Sequence, residues 1–138
     1  MSCKSALYAA MQTPTAVAVD GVIPLGSLIR RYGCDVSLNG SAVNIAGGSQ
    51  SASYYDVDAS ITVAPTAAGT VTVTLYKDGV AVPGATASAT ATAAGDVADL
   101  NIPALVRQAC CAAGSALTLV LSGAAATVNN VAFRVRRI

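Results

Sequence analysis

The sequence predicts an all-β sandwich of about eight to ten short antiparallel strands. Three observations carry this. Apolar and polar residues alternate with period two in run after run, tight-turn pairs such as Asp78-Gly79 separate the runs, and only 11% of the 138 residues are charged while 54% are hydrophobic. Period two places one set of side chains on an inner face and the other on an outer face. Short runs at regular spacing, punctuated by turns, are the pattern of sandwiches and barrels. A surface so poor in charge implies that part of it is covered, and identical subunits are the commonest cover.

Residues 1–14 lack clear alternation and read as an N-terminal arm or a short first strand, which leaves 15–138 as the folded domain. Thr15 to Val19 and Val22 to Leu25 flank the turn Asp20-Gly21, and Val36 to Val43 brackets a turn at Asn39-Gly40. From Tyr55, the apolar set Tyr55, Val57, Ala59, Ile61 and Val63 alternates with Asp56, Asp58, Ser60 and Thr62. Val71, Val73 and Leu75 alternate with threonines up to Asp78-Gly79, a pair suited to a type I′ hairpin because both central residues need positive φ. Pro83-Gly84 interrupts the return strand, after which Ala85 to Ala93 alternates Ala with Thr and Ser. Ile102 to Ala113 is compatible with a strand or with a turn of helix. Leu117, Leu119 and Leu121 form the next inner face, and Val131, Phe133 and Val135 the last, with Ala132, Arg134 and Arg136 opposite.

Composition also bounds function. There is no His, no Glu and no Trp. Histidine is the commonest general base and metal ligand, so the usual catalytic triads cannot form within the chain, and the expectation is that it is not an enzyme. The net charge of +1 gives no strong field for nucleic acid. No stretch of about 18 apolar residues suggests a membrane span, and the first residues show no signal-peptide pattern. No cofactor, no metal and no small-molecule ligand are expected.

Few residues stand out as candidate sites. Asp56 and Asp58 share a strand face about 7 Å apart, but calcium asks for six or more oxygens, so a solvated polar face is the simpler reading. Arg30-Arg31 and Arg134, Arg136 and Arg137 are the basic clusters, read as a solvated face or as salt bridges between subunits. Tyr54-Tyr55 puts one ring in and one out, the inner ring in the core and the outer one at an interface. The candidate interface is therefore Tyr54, Tyr55, Arg134 and Arg136. The four cysteines, Cys3, Cys34, Cys110 and Cys111, form no CxxC pair. They read first as buried thiols and second as disulfides, within or between chains. The segment Gly47 to Ser53 is a flexible loop without a phosphate-cradle pattern.

The strand Tyr54-Tyr-Asp-Val-Asp-Ala-Ser60, the hairpin Val71-Thr-Val-Thr-Leu-Tyr-Lys-Asp-Gly-Val80 and the closing Val131-Ala-Phe-Arg-Val135 together resemble the C1q/TNF-like jelly-roll family. The resemblance covers about residues 15–138, with Ser51-Ala-Ser53 where the family tends to have Gly. It implies a jelly-roll β-sandwich, a compact homotrimer and chain termini close together. The bacterial and phage branches of the family supply spore-surface and virion proteins, and the sequence is similar in flavour to structural proteins of phages and prophages of gut Firmicutes.

The function expected from this resemblance is structural: a trimeric virion accessory subunit, a head decoration or head fibre, made in the host cytoplasm and docked on a capsid or other virion protein. The alternatives are a subunit of a bacterial surface or spore-coat filament cross-linked through cysteines, and a carbohydrate-binding jelly-roll module. Lack of Trp argues against the last, since sugars stack on aromatic platforms.

Overall fold

A computed structural model describes residues 4–47, 51–110 and 114–138. Among these, eleven strands and no helix are present. One sheet has the order β3 (Ser27–Tyr32), β1 (Ala6–Met11), β11 (Ala126–Arg137), β6 (Ser53–Pro65), β9 (Ala98–Gln108), with β2 (Thr15–Val17) also pairing β11. The other has the order β4 (Val36–Asn39), β5 (Ala42–Ile45), β10 (Ser115–Ser122), β7 (Gly69–Lys77), β8 (Val80–Ala91). All pairings are antiparallel.

The inner faces follow the alternation. Val71, Val73 and Leu75 of β7, Leu117, Leu119 and Leu121 of β10, and Val131, Phe133 and Val135 of β11 are all fully buried. Ile23 and Leu25 are buried too, but the expected strand at Val22 to Leu25 reduces to a single bridge, Val22 to Val120.

Of the two readings of residues 1–14, an arm or a short first strand, the described residues take the strand. β1 lies inside the first sheet, between β3 and β11, with Leu7, Ala9 and Met11 buried. Its alternation is hard to see because its outer positions, Ala6, Tyr8 and Ala10, are themselves apolar or aromatic. The segment around Ile102 resolves as strand as far as Gln108, with Leu100, Ile102 and Val106 facing in. Pro103 is tolerated because β9 is an edge strand, where half the N–H groups point away from the sheet.

Three irregularities set the details. The register of β11 against β6 shifts at Asn129, so the buried set changes from Ala126 and Val128 to Val131, Phe133 and Val135. At Pro83-Gly84 the strand continues through a bulge opposite Leu75 rather than ending. The turn placed at Asn39-Gly40 sits one residue on: Asn39 pairs with Ala42, leaving Gly40-Ser41 as the loop, and φ of +62° at Gly40 is the type II′ signature.

The hairpin at Asp78-Gly79 has the expected form, with φ of +52° and +81°. A Cβ on Gly79 would meet no atom within 4 Å, so substitution there tests backbone conformation alone. Gly79→Val should cost about 1–3 kcal/mol, because a β-branched residue resists positive φ. Thermal unfolding with no change in midpoint would contradict this turn geometry.

Candidate assembly interface

The outer face of the first sheet gathers three of the four interface candidates, Tyr54, Arg134 and Arg136, together with Arg30, Asp56 and Asp58. The register aligns them in rows across the sheet. In one row Arg30, Tyr8, Arg134, Asp58 and Pro103 lie side by side; in the next, Tyr32, Ala6, Arg136, Asp56 and Leu105. Tyr54 sits opposite Arg107 one step further along. Tyr8, Tyr32, Tyr54 and Leu105 are exposed on this face, four of the eleven exposed large apolar side chains among the described residues; Leu28, aligned with the buried Ala9, and Ile29, at the register shift, add exposed apolar surface along the β3 edge of the same sheet. That concentration on one sheet marks it as the face to be covered.

Arg134 donates to Asp58 at 2.9 Å, and Arg136 to Asp56 at 3.0 Å. Both arginines therefore have a carboxylate within the chain, not only across a subunit boundary as the sequence reading allowed. Each pair is roughly half exposed, so each contributes about 0–1 kcal/mol to the isolated chain. Their effect is to cancel the charge at the centre of the face, with Arg30 and Arg107 toward its two edges. A surface whose central charges already cancel can be covered with less penalty than one presenting unmatched ions.

Tyr55 is corrected as an interface candidate: it is fully buried, and its hydroxyl donates to the Ala46 carbonyl. Burial, and then the Asp35 carboxylate, push its pKa above the ordinary value, opposed by Arg137 and by that hydrogen bond.

The same end of the sandwich holds a clasp that sequence reading missed. Arg137 forms an ion pair with Asp35, both side chains mostly buried. Ser5 joins them, its hydroxyl accepting the Asp35 N–H at 3.1 Å and its carbonyl accepting the Arg137 N–H at 2.8 Å. Gly33 is required beside it: its φ is +87°, and a Cβ there would lie 2.2 Å from the Lys4 carbonyl oxygen. No local signal could have found this pair, since its members are 102 residues apart.

Cys34, next to the clasp, is exposed and disulfide-bonded, which replaces the buried-thiol reading at that position. Cys110 is half-buried, while Cys3 and Cys111 lie outside the described residues. Asp78 accepts hydrogen bonds from the Ser115 side chain and the Ala116 N–H, and these lower its pKa. Asp96 is lowered in the same way by the Thr92 hydroxyl and the Ala93 N–H. Among the described residues no three His, Cys, Asp or Glu side chains gather as metal ligands, and no helix is long and apolar enough to cross a membrane.

Two antiparallel sheets in this order define a TNF-like jelly-roll β-sandwich. The chain is similar in structure to murine APRIL, with a TM-score of 0.66 at 11% identity over 96% of this chain and 98% of that one. It is similar to the Eiger TNF of S. frugiperda, with a TM-score of 0.68 at 10% identity over 100% and 94%. It is also similar to the PRD1 vertex protein P5, with a TM-score of 0.65 at 14% identity over 100% and 99%. No protein-family model matches the sequence, and no curated protein matches it.

Proposed function

We propose that the protein is a non-enzymatic structural subunit that assembles with two copies of itself through the outer face of the first sheet, as part of a virion. The exposed Tyr8, Tyr32, Tyr54 and Leu105, set around the paired Arg134–Asp58 and Arg136–Asp56, carry the assembly reading. Large rings and a leucine around self-neutralised ion pairs have the composition of an interface core, where aromatic residues are enriched and unmatched charges depleted. A threefold ring needs a heterologous contact between two different patches of one surface. Tyr32 and Leu105 stand in the same row at opposite edges of this sheet, so rotation about an axis along the strands keeps them at one height.

The likeness to the PRD1 vertex protein P5 supports the virion setting, and the head-decoration or head-fibre role with a capsid partner is the form of it we favour.

Native mass spectrometry in moderate salt should give about three times the 13.6 kDa chain mass. Leu105→Asp, at an exposed position, should shift it to the single-chain mass while leaving the circular dichroism spectrum unchanged. A wild-type monomer at micromolar concentration would refute the assembly reading.

A further inference from the structure

The charges of this chain are sorted along the strand axis. All eight cations lie toward the end where β6 begins. Arg134, Arg136 and Arg137 stand beside the first residues of β6, and Arg107 opposite Tyr54. Lys77 donates to the Arg107 carbonyl at 2.8 Å. Arg30 and Arg31 pair with Tyr8 and Leu7, and Lys4 precedes β1. Four carboxylates accompany them: Asp35, Asp56 and Asp58 in ion pairs, and Asp78 in its turn.

The other end holds three aspartates and no cation. Asp20 donates its N–H to the Leu121 carbonyl, Asp96 lies beside Gly95, whose N–H reaches the Pro65 carbonyl, and Asp99 pairs with Thr62. Eight cations against four carboxylates make one end +4; three carboxylates alone make the other −3; together they give the +1 of the chain. Along β6, Asp99 at the level of Thr62 stands about 13 Å from the Arg134–Asp58 row and about 27 Å from Arg107, more than one Debye length at physiological salt, so the two groups are largely screened from each other.

The two ends are also complementary in their apolar parts. The basic end contains a hollow of about 540 Å³ lined by Lys4, Ser5, Tyr32, Arg136, Arg137 and Ile138. Tyr32 and Ile138 are each about two-thirds exposed. At the acidic end, the loop tips pair an exposed valine with each of two aspartates, Val19 with Asp20 and Asp96 with Val97.

We propose that the basic end, through the hollow beside Tyr32, receives the acidic end of a second copy, so that copies stack end to end. This goes beyond the lateral assembly above: the hollow borders that face at Tyr32 and Arg136, and the contact adds Lys4, Ser5, Arg137 and Ile138 on one copy and the acidic loop tips on the other. In a ring of parallel copies like ends lie together, which would multiply the charge on each end and strengthen the stacking.

Sedimentation velocity of the full chain at two ionic strengths tests it. At about 20 mM salt, where the Debye length is roughly 20 Å, the weight-average sedimentation coefficient should climb with protein concentration. At about 500 mM, where it is roughly 4 Å, the climb should vanish. The double variant Asp20→Asn, Asp99→Asn should weaken the low-salt association by about tenfold or more, by removing two of the three acidic charges. Asparagine tolerates positive φ, as at Asp20, and at residue 99 its carbonyl still accepts from Thr62, so the fold is kept. A wild-type coefficient independent of concentration at low salt, or a climb that the double variant retains, would overturn the stacking. The species left at high salt reports the lateral assembly separately: a monomer there counts against the trimer and leaves the end-on contact standing.

Discussion

Replacing Phe133 with Ala should cost about 3–5 kcal/mol, placing it among the largest single-residue effects in this protein. Phe133 is the sole phenylalanine, is fully buried, and lies in the middle of the first sheet. Its neighbours across the two strand pairings are Ala9 and Ala59. Two alanines leave room for one ring, and neither has atoms to move into the space the ring vacates. The cavity should therefore persist, and both the transfer and cavity terms apply. Equilibrium urea unfolding, at fixed chain concentration because assembly contributes to apparent stability, should show the midpoint fall with little change in slope. Phe133→Leu, which fills part of the volume, should lose less than half as much. A loss below about 1 kcal/mol for the alanine variant would mean the sheets close over the gap, against the packing described.

The second large effect is expected at the clasp. Asp35→Ala leaves Arg137 mostly buried without its carboxylate, and breaking such a pair on one side costs about 3–5 kcal/mol. Replacing both, as in Asp35→Ala with Arg137→Met, should recover a substantial part of the loss, since the cost lies mainly in the stranded charge. A double variant as unstable as the sum of its single variants would show that the two residues act independently.

Tyr55 provides a second readout of the same end. Its pKa is raised, so the unfolded chain gives up that proton first. Its contribution is therefore complete below the ordinary tyrosine value of about 10 and is lost as pH rises from there through the folded-state value. Stability should decline on the alkaline side, and Asp35→Ala, which removes one of the causes raising that pKa, should make the decline shallower.

The rows of the outer face show how far the sequence could be read. Alternation placed Arg134, Arg136, Asp56 and Asp58 outward, because period two fixes a face from neighbours in sequence alone. It could not say that these residues face one another, since the pairs are 76 and 80 residues apart and their alignment depends on how β11 lies against β6. The same local rule put Tyr54 out and Tyr55 in. Tyr8, Tyr32 and Leu105 went unnoticed as members of the face: β1 has apolar residues on both sides, β3 has every residue exposed, and Pro103 obscured β9.

What the sequence by itself determined was local: the inner faces of β6, β7, β10 and the end of β11, the type I′ turn at Asp78-Gly79, and an inventory without His or Glu. Each follows from a two-residue period, from the φ that a turn demands, or from composition, and none requires knowing which strands are neighbours. The tertiary structure alone decided the rest. It brought residues 6–11 into the first sheet and inserted the bulge at Asn129 that changes which side chains of β11 face in. It closed Arg137 onto Asp35 and sorted the charges toward two ends. These features are set by pairings between strands distant in sequence. A strand's partners and register are chosen by the packing of both sheets over one core, which period two constrains to a face but does not address to a neighbour.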